Sequence, residues 1–138
     1  MDIINIYIKA EKVIDETRGA GMMVFEDSRG NAHSKTTSIK CDDTPHRAKL
    51  KMIIELLKCL KFPCDVGIYI DDIGIKTAIE AKWYLKWQDN GYKTTKGKNV
   101  KDYDLWQELT SYLNTHNVGV VCYINIFDKE LNKIIKEV

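Results

Sequence analysis

The sequence predicts an α/β fold, with a mixed five-stranded sheet (a three-strand antiparallel meander plus two parallel strands) flanked by helices. Three observations carry this expectation. Strand-like runs separated by turn signals fill the first forty or so residues. A helical apolar period then takes over. In the second half, short β-rich runs alternate with helical segments, the pattern of a sheet covered by helices.

The elements follow in order. Ile3–Ile8 sets Ile4, Ile6 and Ile8 against Asn5, Tyr7 and Lys9, an alternation that predicts a strand. Glu11–Arg18 is charged and leads into Gly19-Ala20-Gly21, read as a permissive turn. Gly21–Glu26 carries Met22, Met23, Val24 and Phe25 as a second strand. Asp27-Ser28-Arg29-Gly30-Asn31 then signals a hairpin into a third strand, Ala32–Lys40. Asp43-Thr44-Pro45 supplies an N-cap and a first-turn proline. Leu50, Ile53, Ile54, Leu57 and Leu60 keep helical spacing over Arg47–Leu60, and Phe62-Pro63 ends that helix. Val66–Ile70 reads as a buried central strand ending in Asp71-Asp72. Ile75–Asp89 reads as one helix bearing Trp83 and Trp87 a turn apart, which predicts both rings on one buried face. Asn90-Gly91 stops it. Asp104–Asn114 is another helix, Val118–Phe127 the last strand and Lys129–Val138 a terminal helix.

Composition narrows the function classes. A chain of 138 residues with 44% hydrophobic and 30% charged residues reads as one globular domain over residues 1–138, not a disordered segment. A formal charge of +1 gives no global pull toward a polyanion, so any attraction must come from local patches. Cys41, Cys59, Cys64 and Cys122 form no CxxC pair and have no histidine at zinc spacing. They read as reduced thiols of a cytoplasmic protein. Neither a signal segment nor a membrane-spanning run is legible, so no membrane partner is expected. His33, His46 and His116 sit in separate segments and make no hydrolytic triad with a cysteine or serine. No glycine-rich phosphate loop is present.

The most specific stretch is WYLKWQDNGYKTTKGKNVKDYDLW, Trp83–Trp106: a tryptophan-bearing helix, a basic loop with Lys93, Lys96, Lys98 and Lys101, and a helix opened by Asp104-Leu105-Trp106. This order resembles the basic protrusion, or handle, of the bacterial type 1 ribonuclease H family. The Gly91–Lys93 and Asp104–Trp106 triplets are the closest local matches. Thr44–Leu50 looks like the family's helix opening, Gly19–Gly21 like the glycine turn into its second strand, and the element order agrees over nearly the whole chain.

The resemblance implies a ribonuclease H-like fold with a handle at about residues 83–106. It also implies a site in which four carboxylates hold two magnesium ions to cleave the RNA strand of an RNA–DNA hybrid. Such ions require hard oxygen ligands converging on one place. Carried over by position, the first-strand aspartate falls on Lys9, with Ala10 replacing a glycine, and the first-helix glutamate falls on Lys49. The aspartate ending the fourth strand is retained as Asp71 or Asp72; spacing to Trp83 favours Asp72, strand phase Asp71. The family's Trp-x-x-Gly-His loop is replaced by Tyr123–Asp128, and Asp128, Glu130 or neither stands in for the fourth acid. An ammonium has no lone pair for a cation and repels magnesium. The resemblance therefore points to a catalytically degenerate member with no cofactor, in which Lys9 and Lys49 pair with Asp71 and Asp72 in place of ions. The alternative is that both lysines extend to solvent.

By the same carry-over, Thr44, Lys86, Trp87, Lys93, Lys96, Lys98 and Lys101 are the candidate nucleic-acid contacts, and Trp83 and Trp106 are expected in the core. Asp102 replaces the asparagine before the DLW helix, and would repel a phosphate. Three functions compete: a non-catalytic nucleic-acid-binding or scaffolding module for an RNA–DNA hybrid or duplex; a protein–protein interaction module; and an active, magnesium-dependent ribonuclease H. The last would draw relocated acids from Glu11, Asp43, Asp71, Asp72, Asp128 and Glu130.

Overall fold

The computed structural model describes residues 1–138. Five strands form one sheet in the order β3-β2-β1-β4-β5. β1 (Asp2–Val13), β2 (Glu16–Glu26) and β3 (Ala32–Cys41) are the antiparallel meander. β4 (Cys64–Tyr69) lies parallel to β1, and β5 (Asn117–Val121) parallel to β4. The helices are α1 (Pro45–Leu57), α2 (Ile73–Glu80), α3 (Trp83–Asp89), α4 (Tyr103–Thr115) and α5 (Asp128–Glu137).

Alternation along β1 divides the two faces. Ile4, Ile6 and Ile8 join the main core with Leu50, Ile53 and Leu57 of α1. Tyr7 points the other way, into a small cluster with Ala20, Met22, Leu131 and Ile135, which seats α5. The sheet is thus covered on both faces, and Lys9, in phase with Tyr7, emerges on the α5 side. No helix is long and apolar enough to cross a membrane.

Four element expectations are corrected. β1 runs on to Val13 and β2 starts at Glu16, because the chain turns at Ile14 (φ 58°) and not at the glycines. Gly19 and Gly21 lie within β2, where α1 crosses closely. A Cβ on Gly19 would come within 2.6 Å of Met52 Cε, and one on Gly21 within 3.2 Å of Leu56 Cδ1. The single helix expected over Ile75–Asp89 is two, broken where Lys82 takes a left-handed conformation (φ 57°). That break turns Trp83 outward, leaving it 42% exposed, contrary to its expected burial; Trp106 is buried as expected. The last strand stops at Val121 and not Phe127, since Tyr123 has a positive φ (64°) and gives its N–H to the Asp71 carboxylate.

Candidate active site and nucleic-acid interface

At the C-terminal end of β4, adjacent carboxylates diverge. Asp72 caps α2: its Oδ1 accepts from Ile75 N (3.0 Å) and its Oδ2 from His46 Nδ1 (2.6 Å). Burial opposes ionisation of this carboxyl. The hydrogen bonds from His46 and Ile75, with the nearby charges of His46 and Lys49, outweigh it and hold its pKa below the usual value. Asp71 turns instead toward the loop after β5, where Oδ1 accepts from Tyr123 N (2.5 Å).

Both lysines enter this region. Lys49, in the second turn of α1, donates to the Asp71 carbonyl oxygen (3.0 Å) and lies 3.9 Å from Asp72 Oδ2, with 14% and 11% of the two side chains exposed. Lys9 does not pair with Asp71 or Asp72, as the sequence suggested. It reaches Asp128 Oδ1 (2.9 Å), in the first turn of α5, because its β1 phase directs it to that helix. A helix N-terminus favours a carboxylate there. Lys9, Lys49, Glu11, Asp71, Asn125 and Asp128 share a cavity of about 160 Å³.

A divalent-cation pair does not fit this donor set. No three Asp, Glu, His or Cys side chains gather to hold a metal. Two ammonium groups, which offer no lone pair, stand among the carboxylates, and Asp72 is committed to capping and to His46.

Beside this site lies a second polar network that sequence reasoning missed. Asp102 precedes α4 in a left-handed conformation (φ 58°), which aspartate tolerates better than most residues. Arg47 bridges Asp102 Oδ1 (3.2 Å) and the Asp104 carboxylate, with its Nε 3.5 Å from Asp43. The hydrogen bond to Arg47 lowers the Asp104 pKa to about 2 and, with the neighbouring carboxylates, raises that of the guanidinium. His46 Nε2 faces Asp102 Oδ2 at 3.8 Å. The signal in the sequence was the aspartate before the DLW triplet; that His46 would meet it depends on how α1 and α4 pack.

The handle separates into a ring stack and a cationic rim. Trp83, Trp87 and Trp106 contact edge to face, with centroids 6.3 and 5.2 Å apart. Trp87 is half-buried against the core. Lys86, Lys93, Lys96, Lys98 and Lys101 are exposed, and none has a carboxylate within ion-pair distance. Lys9, Lys40, Lys49, Lys51, Lys58 and Lys76, by contrast, are all paired. Lys93 donates to the neutral Asn99 side chain. Thr44 is occupied locally, its hydroxyl accepting from Arg47 N (3.1 Å) as the cap of α1.

Comparison with known proteins agrees with this architecture. The RNase H family model matches residues 10–124. A ribonuclease H of Caldicellulosiruptor saccharolyticus is 51% identical over 75 residues, which cover 54% of this chain and 52% of that protein. One from Acetivibrio thermocellus is 34% identical over 103 residues, covering 75% of this chain and 70% of the relative. The matched stretch thus spans about half of the first relative's length. Among solved structures, a type 1 RNase H with the type 2 active-site motif is similar over 99% of this chain and 71% of its own (TM-score 0.77, 15% identity). A second RNase H1, solved in complex with an RNA/DNA hybrid, is similar over 98% and 95% (TM-score 0.65, 15% identity). At these identities the likeness is one of fold.

Proposed function

Because the chain belongs to the ribonuclease H family, we propose that it binds nucleic acid, an RNA–DNA hybrid or duplex, without cleaving it, as a binding or scaffolding module. The observation that carries the loss of cleavage is the placement of Lys9 on Asp128 and of Lys49 on Asp71 and Asp72. Positive nitrogen occupies the space in which cations would be gathered, so no metal-bridged attack on a phosphodiester is derived for this chain. Retention of binding is supported by the five unpaired handle lysines and by Trp87 between two further indoles. One domain over residues 1–138 and a cytoplasmic setting complete the reading, the latter supported by four free cysteines.

Two other readings each have an observation behind them. The relatives' names favour an active ribonuclease H; in the magnesium-dependent form that the family resemblance implies, it would rely on Glu11, Asp71 and Asp128 around the shared cavity. Exposed Tyr123, Ile124 and Ile126 favour a protein-interaction module.

Fluorescence anisotropy with a labelled blunt hybrid across a salt series tests the proposal. Binding should weaken as salt rises, and replacing Lys93, Lys96 and Lys98 by Glu should lower the log–log slope by roughly three. Absence of binding at low salt, or a slope unchanged in the variant, contradicts it.

A further inference from the structure

Between α3 and the start of α4 lies a cavity of about 170 Å³ lined by Trp83, Trp87, Trp106, His46, Lys101 and Asp102, together with Gly74, Ala78 and Val100. One of its walls carries an unmet polar group. The Asp102 side chain is only 9% exposed, and its Oδ2 is buried with no hydrogen-bond partner, although Arg47 satisfies Oδ1. An unmet buried acceptor is costly, and native proteins rarely leave one without a use. Opposite it stands His46. Since the ionised Asp72 carboxylate can only accept, His46 Nδ1 must carry the proton of their 2.6 Å bond. His46 Nε2 lies 3.8 Å from Asp102 Oδ2, too far for a hydrogen bond. An unmet acceptor thus stands in a cavity walled by an indole that is 42% exposed.

We propose that this cavity takes one unpaired nucleobase carrying an exocyclic amine, cytosine above all, stacked on Trp83 with its amino group donating to Asp102 Oδ2. The inference rests on the nucleic-acid-binding reading and adds a base preference to it. A carboxylate accepting from the cytosine amine is an established base contact, and stacking on an aromatic ring adds affinity for any base. The cavity suits one pyrimidine ring better than a base pair. Thymine presents a carbonyl oxygen where cytosine presents the amine, so it would set acceptor against acceptor. A guanidinium or ammonium group of a protein would also satisfy Asp102, but the Lys101 ammonium on the cavity wall repels it. The same lysine suits the phosphodiester attached to a base.

The test is anisotropy with labelled oligo-dC and oligo-dT ten-mers, each protein also being measured against a blunt hybrid. Wild type should prefer oligo-dC by about tenfold, the low end of what one good base contact gives. Asp102→Asn keeps the shape and tolerates the left-handed backbone; it should bring the two oligonucleotides within about twofold of each other, because an amide offers either a donor or an acceptor. Trp83→Ala, at a half-exposed ring that the core does not need, should weaken both by a similar factor. Equal binding of oligo-dC and oligo-dT by wild type, with the hybrid still bound, overturns this inference and leaves the proposed function standing. A preference that survives Asp102→Asn also overturns it. Failure to bind any nucleic acid removes both. Asp102-dependent quenching of tryptophan fluorescence by arginine amide, with no effect of oligo-dC, would make the cavity a socket for a basic side chain and overturn the inference.

Discussion

Placing acids at the two lysine positions tests how charge holds the strand-end site together. In the double variant Lys9→Asp, Lys49→Glu, most of the effect should come from Lys49. Its ammonium lies 3.9 Å from Asp72, and both side chains are largely buried. At an effective dielectric of about 20 such a pair attracts by about 4 kcal/mol before desolvation. Desolvation offsets much of that in the intact pair, yet removing one partner of a buried pair typically costs about 3–5 kcal/mol. The Lys9–Asp128 pair is 29% and 53% exposed and contributes at most about 1 kcal/mol. Without divalent ions, the double variant should therefore be about 4–5 kcal/mol less stable than wild type. Adding manganese at a hundred times its dissociation constant should return about 2.7 kcal/mol, or roughly 10 °C in melting temperature for a chain of this size. Wild type should shift by no more than a degree. Circular-dichroism melting of both proteins and both single variants, with and without manganese, reads this out. A wild-type melting temperature that climbs with manganese, or a double variant as stable as wild type in its absence, refutes the reasoning.

Two further predictions concern pH. The folded-state pKa of Asp104, about 2, is lowered chiefly by its hydrogen bond to Arg47, so its contribution is complete above about pH 4 and is lost as pH falls toward 2. The carboxylate is 48% exposed, so Asp104→Asn should cost under about 1 kcal/mol at pH 5, with the gap to wild type closing by pH 2 in urea titrations. His116 accepts from Cys64 N through Nδ1 (3.0 Å), and burial depresses its pKa below 6.5. Its neutral form is the folded one, so stability should decline as pH drops below 6.5. His116→Ala should cost about 1–3 kcal/mol at pH 8 by leaving a buried N–H unmet, and should flatten that decline.

The strand and helix cores were legible because their periods are local. Ile4, Ile6 and Ile8 alternate, and Leu50, Ile53 and Leu57 repeat at helical spacing, and each set packs as its period implies. The errors lie where tertiary contact overrides local preference. Nothing in Glu80-Ala81-Lys82 announces a helix break; the left-handed turn at Lys82 accompanies the redirection of α3 that brings Trp87 onto Trp106. The charged tip of β1 and β2 resembles a loop because Glu11, Lys12, Glu16 and Arg18 are written for solvent, while their backbones still pair. Of the site, the substitutions at Lys9 and Lys49 could be read by position. The placement of Lys49 beside Asp71 and Asp72 could be read too, but not that of Lys9, whose partner Asp128 is 119 residues away, nor the meeting of His46 with Asp72 across 26. Only the packing of α5 and α1 on the sheet brings those groups together.

Cleavage is the most direct test of the claim that ammonium groups have displaced the catalytic cations. Purified protein should be mixed with an end-labelled RNA–DNA hybrid in magnesium and, separately, in manganese, at concentrations where anisotropy shows the hybrid bound. The account predicts that the RNA strand stays intact in both metals. Metal-dependent RNA fragments that disappear in Asp71→Asn would contradict it and make this chain a working ribonuclease H.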